Sequence, residues 1–260
     1  MGVIRVFLAS AYVGFRGTFA WMSPSFYVGQ LIIIPLTQLT FFSLIGAYGG
    51  AQPLEFYLVG NAMALAATGG FFMAYLLTEE RGLGTLPYLL ASPANRLALF
   101  FGRVALRILE TGVYVLLGFL WAALIFGLSL PATAWGGILL AAVTAAISIS
   151  GLGLLVGALA LVALDIFMVA SLTSFGLLLV SGANIPLDEL PLALRLLGQA
   201  LPLSRSIEAA RSLAAGEPLS ITLPLLAGDL AVGITYGFCG YLLFRWMEIQ
   251  ARRRGTLESV

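Results

Sequence analysis

Apolar runs of membrane-crossing length fill this chain, and two polar, proline-bearing stretches interrupt them. Residues 26–47, 54–77, 97–128, 134–161, 166–180 and 221–246 each read as a helix in lipid, the fifth being the shortest. About 20 apolar residues, rising ~1.5 Å each, cross a hydrocarbon core of roughly 30 Å. Ahead of them, Ile4, Phe7, Leu8, Phe15 and Phe19 recur at helical spacing within residues 1–21, and Arg5 and Arg16 project to nearly one side. That pattern predicts an amphipathic helix lying in the membrane interface with its arginines toward headgroups. The expected class is an all-α integral membrane protein with six transmembrane helices.

Polar residues inside these runs mark positions to watch. Pro35 predicts a kink in the first span, with Thr37 and Gln38 placed to satisfy freed backbone groups. The second span carries Asn61 and the Gly69-Gly70 pair, and the fourth carries Gly151, Gly153 and Gly157; small residues of this kind permit close helix packing. Arg96, Arg103, Arg107 and Glu110 fall along the start of the third span, where Arg107 and Glu110, three apart, can pair. Asp229 lies about nine residues inside the last span, ~13 Å along a helix axis. A carboxylate at that depth costs a few kcal/mol unless paired or hydrated. Asn61, Glu110 and Asp229 are therefore the candidate pathway or intramembrane polar residues.

The first interruption, residues 78–96, reads TEERGLGTLPYLLASPANR. Thr85 is a helix cap, and Pro87 is tolerated in a first turn, where no amide bond is lost. Pro93 turns Ser92 away from helical geometry, so a helix of one to two turns over 86–91 should stop there. The second interruption, residues 181–218, is amphipathic, too charged to span, and punctuated by Pro186, Pro191, Pro202 and Pro218. Residues 191–197 and 202–215 read as short helices begun by a proline.

Six crossings put both termini on one side. Arg5, Arg16, Arg81, Arg96, Arg103, Arg107, Arg245 and Arg252, Arg253 and Arg254 share that side, whereas Arg195, Arg205 and Arg211 fall opposite. The positive-inside rule then makes both termini and residues 78–96 cytoplasmic.

Composition agrees and excludes several chemistries. The chain is 60% hydrophobic and 10% charged, where a soluble domain carries roughly a quarter charged residues. All its cations are arginine, and a net charge of +1 gives no reason to expect nucleic acid. A phosphate-binding loop needs a lysine, which is absent, so ATP hydrolysis of that type is not expected here. Without histidine and with Cys239 alone, neither a soft-ligand metal site nor an internal disulfide is expected.

A span, an acidic-Arg pair, Gly-Thr-Leu-x-x-Leu-Leu-x-Ser-Pro and an Arg-bearing start to the next span together resemble the permease subunits of ABC-2-type transporters. The resemblance runs on through the second interruption. It implies that residues 84–93 form a cytoplasmic coupling helix, and that Glu79, Glu80, Arg81, Gly84, Thr85, Leu86, Pro87, Leu89, Leu90, Ser92, Pro93 and Arg96 couple it to an ATPase. It implies an outer-leaflet re-entrant helix pair over 186–216, before the last span. The implied partners are two ABC ATP-binding subunits, which would hold ATP and magnesium, and a second permease copy or a homologous permease, all in a prokaryotic cytoplasmic (inner) membrane. The chain departs from the family at Pro87, where an acidic residue is usual.

The implied function is the permease of an ATP-driven exporter, with no catalytic residue of its own and a hydrophobic or amphipathic small molecule, lipid or lipid-linked glycan as substrate. An ion-gradient-driven secondary transporter is the alternative; it calls for internal repeats and unwound, charged half-spans, which the sequence does not display. An intramembrane enzyme would need an acid dyad or a histidine.

Overall fold

The computed structural model describes residues 2–21, 23–70, 72–74, 96–160 and 166–254, and among them every regular element is helical. The residues singled out for coupling from Glu79 to Pro93 lie outside the described residues. Helix α1 spans Val3–Trp21 and α2 spans Pro24–Gly49. Ser23 caps α2 by accepting the Phe26 N–H at 3.3 Å, and Pro24 supplies a first-turn residue that needs no amide bond. Gly50, at φ 69°, closes it by donating to the Ala47 carbonyl. Inside α2, the Thr37 hydroxyl donates to the Ile33 and Ile34 carbonyls at 2.8 and 3.2 Å. Gln38 turns away from the backbone around Pro35 and accepts instead from Thr68 at 3.3 Å.

Helix α3, Leu54–Ala64, is buried from Tyr57 onward and packs against α2. Its apolar stretch continues to Ala74. Helix α4 (Arg96–Phe126) packs against α3, and α5 (Ala134–Ala160) and α6 (Ile166–Val180) follow along the chain. A single 3-10 turn, Leu187–Glu189, leads to the short α7 (Leu192–Ala200) and α8 (Ser204–Ala214), and α9 (Leu219–Arg254) ends the described chain. Among the described residues, five helices are long and apolar enough to cross a membrane: Pro24–Gly49, Leu54–Ala74, Val104–Phe126, Ala134–Leu159 and Leu219–Met247. The apolar helix Phe167–Val180 is shorter. At 36 residues, α9 is ~54 Å long and so exceeds a hydrocarbon core of roughly 30 Å.

Small residues set how closely these helices approach. A Cβ on Gly151 of α5 would land on the Gly233 carbonyl oxygen of α9, and one on Gly240 would sit 2.7 Å from the Leu155 amide nitrogen. Among the described residues the α5–α9 contact is the most extensive, and at these glycines no side chain separates the two backbones. Helix α1 approaches α4 in the same way: Gly102 leaves room for the Phe7 carbonyl, with Val6 and Ser10 buried alongside. Ile4, Leu8, Tyr12 and Phe15 of α1 face outward. An outward row of large apolar residues on a helix of this kind suits immersion at a lipid interface.

Candidate functional site

Among the described residues, three groups of polar side chains hold the helices together from inside the bundle. The first is built on Asp229 of α9, which is fully buried. Its Oδ1 accepts the backbone N–H of Leu203 at 2.8 Å, and its Oδ2 accepts the Ser206 hydroxyl at 2.7 Å. The Asp229 backbone carbonyl accepts the Ser148 hydroxyl of α5 at 2.9 Å. One residue thus joins α9, α5 and the N-terminus of α8. A carboxylate at a helix N-terminus faces unpaired N–H groups and the positive end of the helix dipole, so its position is electrostatically favourable. Leu203 itself is fully buried at φ 92°, the positive-φ conformation that side chains disfavour. Just before it α7 ends, and the Ser204 hydroxyl donates to the Gly198 carbonyl at 2.7 Å, fastening the two short helices together.

The second group joins α3, the 181–186 segment and α8. Asn61, fully buried, donates through Nδ2 to the Tyr57 carbonyl and to Asn184 Oδ1, both at 2.9 Å. Arg211 of α8 donates through Nη2 to the carbonyls of Phe56 at 3.2 Å and Ala183 at 3.0 Å. Its guanidinium lies 3.4 Å from the centroid of the Phe56 ring. The planar arginine therefore bonds through its edge and stacks through its face. A Cβ on Gly60 would collide with the Ala183 carbonyl, and the close approach of α3 to the segment depends on that glycine.

Arg107 and Glu110 of α4 form the third group, joined at 2.6 Å with side chains only 13% and 10% exposed. The Arg107 guanidinium lies 5.9 Å from the Phe72 ring centroid, and the Phe72 ring stacks on Tyr114 at 6.4 Å. Glu110 also faces Tyr27 of α2. The pair sits inside the apolar stretch Val104–Phe126, near its first residues.

Asn61, Glu110 and Asp229 are thus each held by protein groups, in three separate places. Arg96 opens α4, and the rest of the coupling set lies outside the described residues. Sequence reading missed Arg211, Asn184, Ser148 and Ser206 as partners. Ser148 sits on the same small-residue stripe as Gly151, the one local sign that α5 carries a crossing.

A search of curated proteins finds no match. A family model described as ABC-2 type transporter matches residues 9–214, a stretch that takes in all three groups except Asp229. With that share of its length matched, the chain belongs to the ABC-2 type transporter family of membrane proteins and is a permease component of an ABC transporter.

Proposed function

We propose that the chain forms, as a pair with itself or with a homologous permease, the translocation pathway of an ATP-driven exporter in a prokaryotic cytoplasmic membrane. Both termini and residues 78–96 face the cytoplasm in this reading, and α7 and α8 dip into the outer leaflet. Residues 84–93 of the paired permeases dock on two separate ATP-binding subunits, one helix to each, and these subunits bind ATP and magnesium and supply the chemistry. Closure of those subunits biases the membrane helices between two packings. The substrate is a hydrophobic or amphipathic molecule, whether a drug-like compound, a lipid or a lipid-linked glycan.

One observation carries the proposal. The family match, 9–214, encloses the Gly-Thr-Leu-x-x-Leu-Leu-x-Ser-Pro motif between two apolar helices, and the arginine asymmetry puts that motif where a cytoplasmic ATPase would meet it. Leu89 and Leu90 are adjacent, so on a helix they point about 100° apart; one enters a groove while the other seals toward the permease. Truncating an interface anchor of this kind costs on the order of 1–3 kcal/mol of binding. Leu89→Ala with Leu90→Ala is expected to leave insertion intact while the ATPase dissociates or hydrolyses ATP without transport. Co-purification of the ATPase and transport in membrane vesicles are the measurements. Retention of both at wild-type level would move the docking surface elsewhere, and transport driven by an ion gradient without ATP would replace the exporter reading.

A further inference from the structure

Between α4, α5 and α9 lies a groove of about 450 Å³ that none of the three polar groups touches. Val104 and Ile108 form one wall, Ser150 and Leu154 the second, and Phe238 and Tyr241 the third. No described lining residue is charged, and the Ser150 hydroxyl is already spent on the Ala146 carbonyl at 2.6 Å. The floor is the glycine crossing: Gly151 and Gly233 bring the two backbones together and leave no side chain to fill the space above them. The rim is open, since Ile234 and Phe238 on α9 are 60% and 59% exposed.

Two features narrow what fills this space. Its direction is the first. On α9 the lining positions run from Gly233 to Tyr241 at three- and four-residue spacing, so the groove follows the helix axis for eight residues, ~12 Å. Its described lining residues all fall within the apolar stretches Val104–Phe126, Ala134–Leu159 and Leu219–Met247, hence at membrane depth. Its end is the second. Arg245, four residues beyond Tyr241 and therefore on the same face, is exposed and makes no ion pair among the described residues. An apolar slot along the bilayer normal that ends near an exposed cation matches a molecule with an alkyl chain and an anionic head.

We propose that this groove holds the acyl chain of an anionic phospholipid, with the lipid phosphate at Arg245. The volume is within the range of roughly 300–1,000 Å³ typical of small-ligand sites, and the walls have the apolar character such sites show. A second copy of the chain would seat a helix face across the rim, and nothing about such a face calls for an anion at the level of Arg245. The lipid comes from the cytoplasmic leaflet if the orientation given under Proposed function holds; binding to the purified chain does not depend on orientation or on ATPase coupling. By holding a lipid at the α5–α9 crossing, the site would make the packing of these helices sensitive to membrane composition.

The test is native mass spectrometry of the full-length chain, delipidated and titrated with phosphatidylglycerol or phosphatidylcholine. The wild type should retain phosphatidylglycerol in preference. Arg245→Gln should reduce that preference by about fivefold, the effect of one arginine on an anionic lipid near the membrane surface. Ile234→Trp, a rim change at an exposed position, should lower retention of both lipids. Equal retention of the two lipids by the wild type, or unchanged retention by both variants, overturns the proposal. A shift from dimer to monomer in Ile234→Trp with lipid retention unaltered also overturns it, and would identify the groove as a contact between copies.

Discussion

The carboxylate of Asp229 accepts the backbone N–H of Leu203 at 2.8 Å across 26 residues of chain, and so fixes the start of α8 against the first third of the long helix α9. Leu203 holds φ 92°, which costs an ordinary side chain on the order of 1–3 kcal/mol and persists only where surroundings enforce it. Here the enforcement is visible: full burial of Leu203, the bond to Asp229, and the neighbouring bond of Ser206 to the same carboxylate.

Asp229→Leu should therefore destabilise the protein strongly. It leaves the Leu203 N–H and the Ser206 hydroxyl buried without an acceptor, at about 1–3 kcal/mol for each orphaned group. Asp229→Asn keeps an oxygen for Leu203 and a group that Ser206 can bond, so it should cost much less. Thermal unfolding of the detergent-solubilised protein measures both. If Asp229 also lines the pathway, Asp229→Asn lowers transport without lowering the melting temperature. Equal melting temperatures for wild type and Asp229→Leu would show that the carboxylate does not hold α8.

Arg211 and Phe56 offer a second measurable coupling. The guanidinium is stacked on the ring at 3.4 Å while it donates to the Phe56 and Ala183 carbonyls. A desolvated cation–aromatic contact contributes up to about 2 kcal/mol. In a double-mutant cycle, Arg211→Gln and Phe56→Leu should show a coupling of about 1–2 kcal/mol in unfolding free energy. Arg211→Lys should not rescue it, because an ammonium lacks the plane that bonds at its edge and stacks at its face. Additive effects would mean the two side chains act independently.

These two relationships mark where the sequence stopped being informative. The helices were legible because apolar length is a local property: the runs read from sequence overlap, among the described residues, five helices able to cross a membrane and the shorter Phe167–Val180. The Arg107–Glu110 pair was legible because its partners are one helical turn apart. Asp229 could be singled out by depth, yet its partners lie 23 and 26 residues away, and those of Arg211 lie 155 and 28 away. Nothing in an amphipathic stretch tells a buried clamp from a surface arginine, and Arg211 was counted only as an outward-side charge. Helix starts slipped for a similar reason. Pro202 looked like a first-turn proline, but α8 begins at Ser204, after the strained Leu203 that Asp229 holds.

The α5–α9 crossing makes a contrast within one helix. A Cβ on Gly151 has nowhere to go except into the Gly233 carbonyl, whereas one on Gly136 meets nothing within 4 Å. Overpacking that moves backbone costs about 1–3 kcal/mol, while an open helical glycine replaced by alanine gains a few tenths to about 1 kcal/mol in propensity. Gly151→Ala should thus lower the melting temperature and Gly136→Ala should leave it level or raise it. Matching shifts in the two variants would remove the close crossing as a determinant of stability.

Orientation is the remaining prediction, and it rests on charge. With six crossings, Arg5, Arg16, Arg107 and Arg245 fall on one side, and Arg195, Arg205 and Arg211, which belong to α7 and α8, fall on the other. The asymmetry of arginine between the two sides predicts that Gly82 is cytoplasmic and Glu217, exposed just after α8, is external. Cys239 is exposed and free, so it has to be replaced before any labelling is interpretable. In a Cys239→Ser background, Glu217→Cys should react with a membrane-impermeant maleimide added to intact cells, and Gly82→Cys should react only after the cells are opened. Glu217 is a better probe than its neighbours upstream because Glu189 accepts from Gln52 at 3.3 Å and Asp188 pairs with Arg195 at 2.7 Å, which would be disturbed by substitution. The reverse pattern of labelling would invert the whole molecule, carry residues 78–96 away from any cytoplasmic ATPase, and end the exporter reading along with the orientation.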